Sequence, residues 1–232
     1  MADAIRFGLG YLNLYRTLYM VLLSVLLYLL AQSLLSGMLY LNEYRLEITV
    51  DKWNQASETI PLSEWVATEN VALELLREHE NNTSVVNTLG RLYYYRSSHL
   101  SASNRERLFY GNKALAYYRT VTRLRPAWAY GWMNLDIAKM YLNQVDQEFR
   151  HALFRVLHLD PWSRTTLPTT IKLSLLAWPH LSKEEQKEMV NYFSTAQKQR
   201  SDDVLAALSD SNLKALYCIL VRHHGSAAPL CH

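Results

Sequence analysis

The longest apolar segment of the chain runs from Thr17 to Leu41 and contains no charged residue. At a rise of about 1.5 Å per residue, a helix of this length crosses the roughly 30 Å hydrocarbon layer of a bilayer. Charged residues recur throughout the rest of the chain, and no second segment of this kind follows. The pattern predicts a single transmembrane helix followed by a water-soluble domain.

A cleavable signal peptide is the main alternative for this segment, because Ala31-Gln32-Ser33 offers small residues that a peptidase could accept. The apolar core of a signal peptide usually has about 7–15 residues. Here apolar residues continue from Leu34 to Leu41, as a spanning helix requires and a processed leader does not. We therefore favour a retained anchor.

The charges that flank the segment leave its orientation open. Arg6 and Arg16 precede it, and Arg45 and Lys52 follow it, so neither side has the excess of basic residues that marks the cytoplasmic end. Over the whole chain, 24 basic residues stand against 21 acidic ones. This near balance excludes the charge pattern of a nucleic-acid-binding domain.

After the apolar segment, hydrophobic residues recur at steps of three and four, and no strand-like alternation is sustained. The chain has only seven glycines, so phosphate-binding loops and tight hairpins are not expected. These patterns predict an all-α domain. The predicted helices cover residues 42–56, 62–79, 84–96, 104–124, 127–142, 144–158, 167–178, 183–198 and 202–223.

Two serine–glutamate pairs have the spacing of a capping box, in which each side chain satisfies a backbone N–H at a helix start. They are Ser103 with Glu106 and Ser182 with Glu185. The serine-rich segment Ser97–Ser103 is predicted to be an exposed loop.

The segment Asn81-Asn82-Thr83-Ser84 contains two overlapping acceptor triplets for N-glycosylation. Such triplets matter only in a protein of the secretory pathway. We favour the alternative that the segment breaks a helix and that Thr83 or Ser84 caps the next one.

Two similar phrases, Thr122–Pro126 and Leu157–Pro161, place their prolines 35 residues apart. This period is close to the roughly 34 residues of a tetratricopeptide repeat, a unit of two helices. Trp132 and Leu135 fall three apart, as the Trp and Leu of the first repeat helix do. Asp136 stands where the repeat carries a small glycine, so this unit is imperfect.

The preceding unit shows Leu89-Gly90 and Tyr93 in its first helix and Tyr118 in its second. Stacked helix pairs of this kind bury their apolar faces against each other and leave a concave surface for a partner. The repeats therefore predict a tetratricopeptide-like α-solenoid domain with a concave binding surface between Ser84 and Trp178.

Four phrases resemble successive signatures of the VpsP-like family of small bacterial inner-membrane proteins, which are encoded with exopolysaccharide biosynthesis clusters. The phrases are Arg125–Trp132, Phe149–Leu153, Asp160–Trp162 and Leu176–Leu181. The resemblance implies a single amino-terminal span and a periplasmic helical domain that serves polysaccharide assembly or export, with no established active site. Asp160, where a small residue is expected, and the extension after Gln199 depart from the family pattern.

These observations predict five segments. They are an amino-terminal tail with the transmembrane helix (1–42), a juxtamembrane helical hairpin (43–83), tetratricopeptide-like repeats (84–181), carboxyl-terminal helices (182–224) and a flexible tail (225–232).

Aromatic residues are dense in the predicted repeats and point to two roles. Tyr93, Tyr118 and Trp132 lie where tetratricopeptide helices interlock, so we expect them to pack. The residues predicted to contact a partner or a glycan are Tyr94, Trp128, Tyr130 and Trp162.

The carboxyl end concentrates metal-binding side chains, namely Cys218, His223, His224, Cys231 and His232. A soft divalent metal is one interpretation. We favour a buried, inert thiol at Cys218, which lies on an apolar helix face. A disulfide between the two cysteines is the third alternative, if the domain is periplasmic.

No carboxylate pair, nucleophile with a base, or histidine pair on one helix turn has a convincing context. His79 and His151 lie in ordinary surface sequence, and Glu184, Glu185 and Glu188 form a solvated helix face. We therefore expect no enzymatic activity, no catalytic residue, no cofactor and no metal.

The predicted function is that of a membrane-anchored scaffold in exopolysaccharide biosynthesis or export, which acts by protein–protein interaction. Its expected partners are the membrane, polysaccharide-assembly or export proteins and the polysaccharide itself, but not nucleic acid. The alternatives are a periplasmic carbohydrate-binding guide or glycan-modifying enzyme, and a general envelope-assembly tetratricopeptide protein.

Overall fold

The computed structural model of the chain describes residues 2–55, 59–99, 104–223 and 229–231. Every regular element in these residues is helical, which confirms the predicted all-α class for them. The α-helices are α1 (Ala2–Gln55), α2 (Leu62–Glu78), α3 (Thr83–His99), α4 (Asn104–Leu124), α5 (Ala129–Tyr141), α6 (Gln147–Leu159), α7 (Leu167–Leu176), α8 (Lys183–Gln199), α9 (Ser201–Ala207) and α10 (Ser211–His223). Short 3₁₀ turns cover Trp178–His180 and Pro229–Cys231.

The chain divides into two compact units, Met1–Thr49 and Val50–His232. The predicted transmembrane segment and the predicted helix 42–56 belong to one element, α1, without a break in secondary structure at residue 42. Charged residues such as Glu43 and Arg45 favour helix well enough to continue it.

In the first unit, most apolar side chains of α1 between Tyr15 and Leu41 are exposed. Leu22, Leu26 and Leu30 each keep more than half of their surface accessible. The most apolar window of the helix has a mean hydropathy of 2.1, and none of it is buried. By length and composition α1 is therefore a candidate membrane span, although a signal sequence near the amino terminus shares these properties.

In the second unit, α3 pairs with α4 and α5 pairs with α6. The Asn134 amide on α5 donates to the Asn87 side-chain oxygen on α3 at 2.9 Å. Two helical turns further along, the rings of Tyr94 and Tyr141 lie 5.6 Å apart. Both contacts join residues separated by the same 47 positions, so α3 and α5 run parallel and in register.

Gly90 lets α3 and α4 approach closely. A β-carbon built at Gly90 would lie 2.6 Å from the buried ring of Tyr118, far inside normal contact distance. Tyr93 and Tyr118 are both buried, as their predicted packing role requires, whereas Trp132 is only partly buried. The first predicted repeat therefore packs through the residues that the pattern singled out.

The helix α3 starts and ends differently from the prediction. Its cap is Asn82, whose side-chain oxygen accepts the backbone N–H groups of Ser84 and Val85, so the expected Thr or Ser cap was wrong.

At the other end, α3 continues to His99. Ser97 is buried and its hydroxyl donates to the Arg107 carbonyl, so the predicted exposed loop was wrong at Ser97–His99. Residues 100–103 lie outside the described residues.

Helices α6 to α10 share one hydrophobic core, which contains Phe149, Phe193 and Tyr217. The capping box of Ser182 with Glu185 is confirmed at the start of α8. The other predicted box includes Ser103, which lies outside the described residues.

The predicted helix 202–223 was wrong in one respect, because it is broken into α9 and α10. The Asp210 carboxylate accepts the backbone N–H groups of Asn212 and Leu213 and thereby starts α10 as a new helix.

Candidate interaction surfaces

Three of the four predicted contact residues lie on the first two helix pairs. Trp128 and Tyr130 are half-buried, with ring centroids 5.6 Å apart, and the Arg125 guanidinium lies 4.9 Å above the Trp128 ring. Tyr94 is also half-buried and meets Tyr141 edge-on, and burial raises its pKa. The structure therefore brings Trp128 and Tyr130 together, while Tyr94 pairs with a ring that the prediction did not include.

Trp162 has a different environment from the other three. Its ring stacks on Tyr192 at a centroid distance of 5.6 Å, and it packs against the carboxyl-terminal core. The Tyr192 hydroxyl donates to the Pro161 carbonyl at 3.0 Å, which holds this pair at the end of the second repeat phrase. Packing against Tyr192 and the core therefore buries part of the Trp162 side chain.

One face of α3 is covered by residues that precede it in the chain. Arg91 on α3 forms an ion pair with Asp51 near the end of α1, and the rings of Trp53 and Tyr95 lie 5.8 Å apart. The Tyr95 hydroxyl also accepts the backbone N–H of Ile60. The face of α3 that carries Arg91 and Tyr95 is therefore not free for a partner.

An aromatic cluster joins α2 to the first helix pair. The Trp65 indole donates to the Leu92 carbonyl at 3.1 Å, and its ring lies 5.6 Å from both Tyr93 and Tyr110. The Lys113 ammonium sits 4.9 Å from the Tyr93 ring centroid. Because Trp65 and Tyr93 are almost fully buried, this cluster mainly holds α2 in place.

An open groove lies between α6 and α8, with a volume of about 380 Å³. Its lining residues are Gln147, Arg150, His151, Phe154, His158, Glu185 and Glu188. We call it the α6–α8 groove.

The α6–α8 groove combines ring faces with paired charges. The His158 ring contacts Glu188 across the groove at 2.9 Å, and Arg150 lies 3.8 Å from Glu185. His151 meets the Trp132 ring edge-on at 5.4 Å. The groove can therefore offer hydrogen-bond donors, acceptors and aromatic surface without a large net charge.

The prediction treated His151 as ordinary surface sequence and missed this groove. Gln147, His151, Phe154 and His158 recur at steps of three and four, so they share one face of α6. That stripe was visible in the sequence. The facing carboxylates on α8 were not, because they lie about 30 residues further along the chain.

A network of charged side chains fastens α6 to α4 and α5. The fully buried Lys139 ammonium donates to Asp146 at 2.9 Å and to Glu148 at 2.7 Å. Arg119 on α4 donates two hydrogen bonds of 2.7 Å to the Glu148 carboxylate. The Arg119 bonds, with help from Lys139, lower the pKa of Glu148 to about 2.

Cys218 and Cys231 are joined by a disulfide, with their α-carbons 5.6 Å apart. The favoured free thiol was therefore wrong, and a metal site with two thiolates is excluded because the sulfurs bind each other. No group of three potential metal ligands occurs among the described residues. The side chains of His223, His224 and His232 lie outside that described part.

No model of a known protein family matches the chain, and no curated protein matches it either. Among solved structures, the chain is similar to a thermophilic tetratricopeptide-repeat protein of Thermus thermophilus. The TM-score is 0.47 at 14% sequence identity, over 69% of this chain and 75% of the other. None of these findings supports the resemblance to the VpsP-like family, which stays a proposal.

Proposed function

We propose that the protein is a membrane-anchored helical scaffold that acts by protein–protein interaction in exopolysaccharide biosynthesis or export, without enzymatic activity. The observation that carries this proposal is the α6–α8 groove, an open surface on a domain of paired helices. α3 and α5, the first helices of two successive pairs, lie parallel and in register. Helix pairs stacked in this way suit a binding domain, because stacking leaves a concave surface for a partner.

The proposed site of action is the periplasmic side of a bacterial inner membrane. The exposed apolar surface of α1 supports the anchor. The disulfide between Cys218 and Cys231 supports the periplasm, because disulfides persist in oxidising compartments and are rare in the cytosol. Both cysteines of the chain take part in this bond.

The link to exopolysaccharide rests on the four phrases that resemble the VpsP-like family. One of them, Arg125–Trp132, forms the corner between α4 and α5. At this corner the Pro126 carbonyl accepts hydrogen bonds from the Trp132 indole and from Arg155. The phrase thus has a local structural role, and this role alone does not require a polysaccharide.

In-cell photo-crosslinking tests the scaffold proposal. A photoreactive amino acid is placed at His151 or Phe154 in the α6–α8 groove, and at Asn191, an exposed residue elsewhere on α8, as the control. We expect both groove positions to capture the same membrane or export protein and the control to capture none. Equal capture from all three positions, or no captured protein, would contradict the proposal.

A periplasmic carbohydrate-binding guide is the second candidate function. The groove favours it in one respect, because rings such as His151 and Phe154 lie beside carboxylates that can accept hydrogen bonds from sugar hydroxyls. In the same crosslinking experiment, polymer captured at the groove without a protein partner would support this second function.

A further inference from the structure

Asp136 on α5 is a buried carboxyl group without a hydrogen-bond partner among the described residues. Its side chain has no accessible surface, and neither of its two oxygen atoms has a partner in that part of the chain. An ionised carboxylate in such a place loses its hydration and gains no hydrogen bond in return. Its protonation state is therefore decided by the charges around it.

Those surrounding charges already balance one another. The charges that act on Asp136 are those of Lys139, one turn further along the same helix, and of Asp146 and Glu148 at the start of α6. Lys139 binds both of these carboxylates, and Glu148 also binds Arg119 on α4. Two cations and two anions of this network satisfy each other, so neither cation is left to neutralise an ionised Asp136.

We propose that Asp136 is held as a neutral acid, and that the release of its proton loosens the α5–α6 hairpin, so that this hairpin becomes less stable as pH rises. The hairpin includes the face of α6 that lines the α6–α8 groove. Any effect of hairpin opening on the binding of a partner in this groove therefore rests on the proposed function. Burial also raises the pKa of Asp136 well above its usual range, against the opposing effect of Lys139.

The sign of the effect follows from proton binding. Because the folded hairpin keeps a proton that the open form releases, the stabilisation is full below the ordinary aspartate pKa of about 3.9 and is lost as pH rises toward the folded value. Within that window, the release of one proton raises the opening equilibrium constant up to tenfold per pH unit. The paired Asp146 and Glu148 act in the opposite direction at low pH, since their pKa values are lowered.

Hydrogen exchange of the full-length protein in detergent, measured by mass spectrometry from about pH 5 to pH 8, tests the proposal. Peptides from residues 129–159 report the opening of the hairpin after correction for intrinsic exchange rates. Asp136→Asn keeps the side-chain shape but has no proton to release. We expect the ratio of opening constants, wild type over variant, to rise up to tenfold per pH unit.

Asp202→Asn, at an exposed position in the first turn of α9, is the matched control and should retain the wild-type pH dependence. The same pH dependence in the wild type and in Asp136→Asn would overturn the proposal. Infrared spectroscopy of the wild type gives a second measurement that does not depend on a variant that folds. The absence of a protonated carboxylic acid band at pH 7 would equally overturn it.

None of these measurements involves a partner. Failure of the photo-crosslinking experiment and failure of the Asp136 experiment are therefore distinguishable.

Discussion

At the scale of single residues, Gly90 determines how closely α3 approaches α4. Its missing side chain leaves room for the Tyr118 ring, which is almost fully buried. We expect Gly90→Ala to destabilise the domain by about 1–2 kcal/mol, because overpacking of about 1–3 kcal/mol outweighs the gain in helix propensity. Thermal unfolding of the purified protein measures this.

Gly37→Ala is the matched control, because a β-carbon at Gly37 meets nothing within 4 Å. It should leave the unfolding temperature of the second unit unchanged. An unaltered unfolding temperature for Gly90→Ala would show that the contact with Tyr118 can relax.

Glu148 contributes stability that depends on pH. Its folded pKa of about 2 lies below the ordinary value of 4.5, so the contribution is present above pH 4.5 and is lost as pH falls toward 2. We expect Glu148→Gln to be less stable than the wild type at pH 7 and to lose less stability as pH falls through that window. Urea unfolding at several pH values measures both, and parallel curves would contradict the expectation.

At the scale of helices, α2 depends on one tryptophan. The Trp65 ring packs against Tyr93 and Tyr110, and its indole N–H donates to the Leu92 carbonyl. We expect Trp65→Ala to cost about 3–5 kcal/mol through the cavity it leaves. Trp65→Phe should cost less, since it retains an aromatic ring.

Denaturant unfolding compares these two variants with Val66→Ala, which changes an exposed neighbour and should stay within about 0.5 kcal/mol of the wild type. If Trp65→Ala were as mild as Val66→Ala, α2 would not depend on this cluster.

Helix positions were largely predictable, because the three-and-four periodicity of apolar residues is local. The ends were less so. Ser97 looked like loop sequence, yet it stays helical because its hydroxyl bonds the Arg107 carbonyl on another helix. Asp210 interrupts the predicted last helix because its carboxylate caps a new one. In both cases side-chain hydrogen bonds outweigh the average preference of the segment.

At the scale of the whole molecule, the disulfide makes the proposed location testable. If the second unit is periplasmic, Cys218 and Cys231 should resist thiol labelling in protein isolated without reductant and react after reduction. Cys218→Ser together with Cys231→Ser provides the unlabelled control. Full labelling before reduction would place the domain in a reducing compartment.

The anchor has its own test, which separates a retained span from a cleaved signal sequence. We expect the full-length chain to stay in the membrane fraction after alkaline carbonate extraction, because lipid would remove the exposed apolar surface of α1 from water. Mass spectrometry of the mature amino terminus checks the same point. A soluble protein that begins beyond Ser33 would refute the anchor.

The four predicted contact residues show where sequence patterns stop being informative about a binding surface. Trp128 and Tyr130 are neighbours on one corner, and the sequence places them together because they are two residues apart. Trp162 packs on Tyr192, which lies thirty positions further along the chain, so its partial burial was not visible in the local pattern.

The sequence by itself determined the apolar segment, the all-α class and the packing role of Tyr93 and Tyr118, because each depends on local periodicity or on a recurring repeat pattern. Only the tertiary structure decided that Asp51 covers Arg91, that Lys139 is buried between two carboxylates, that the α6–α8 groove exists and that the cysteines pair. The physical reason is that burial and charge pairing depend on which distant residues become neighbours after folding.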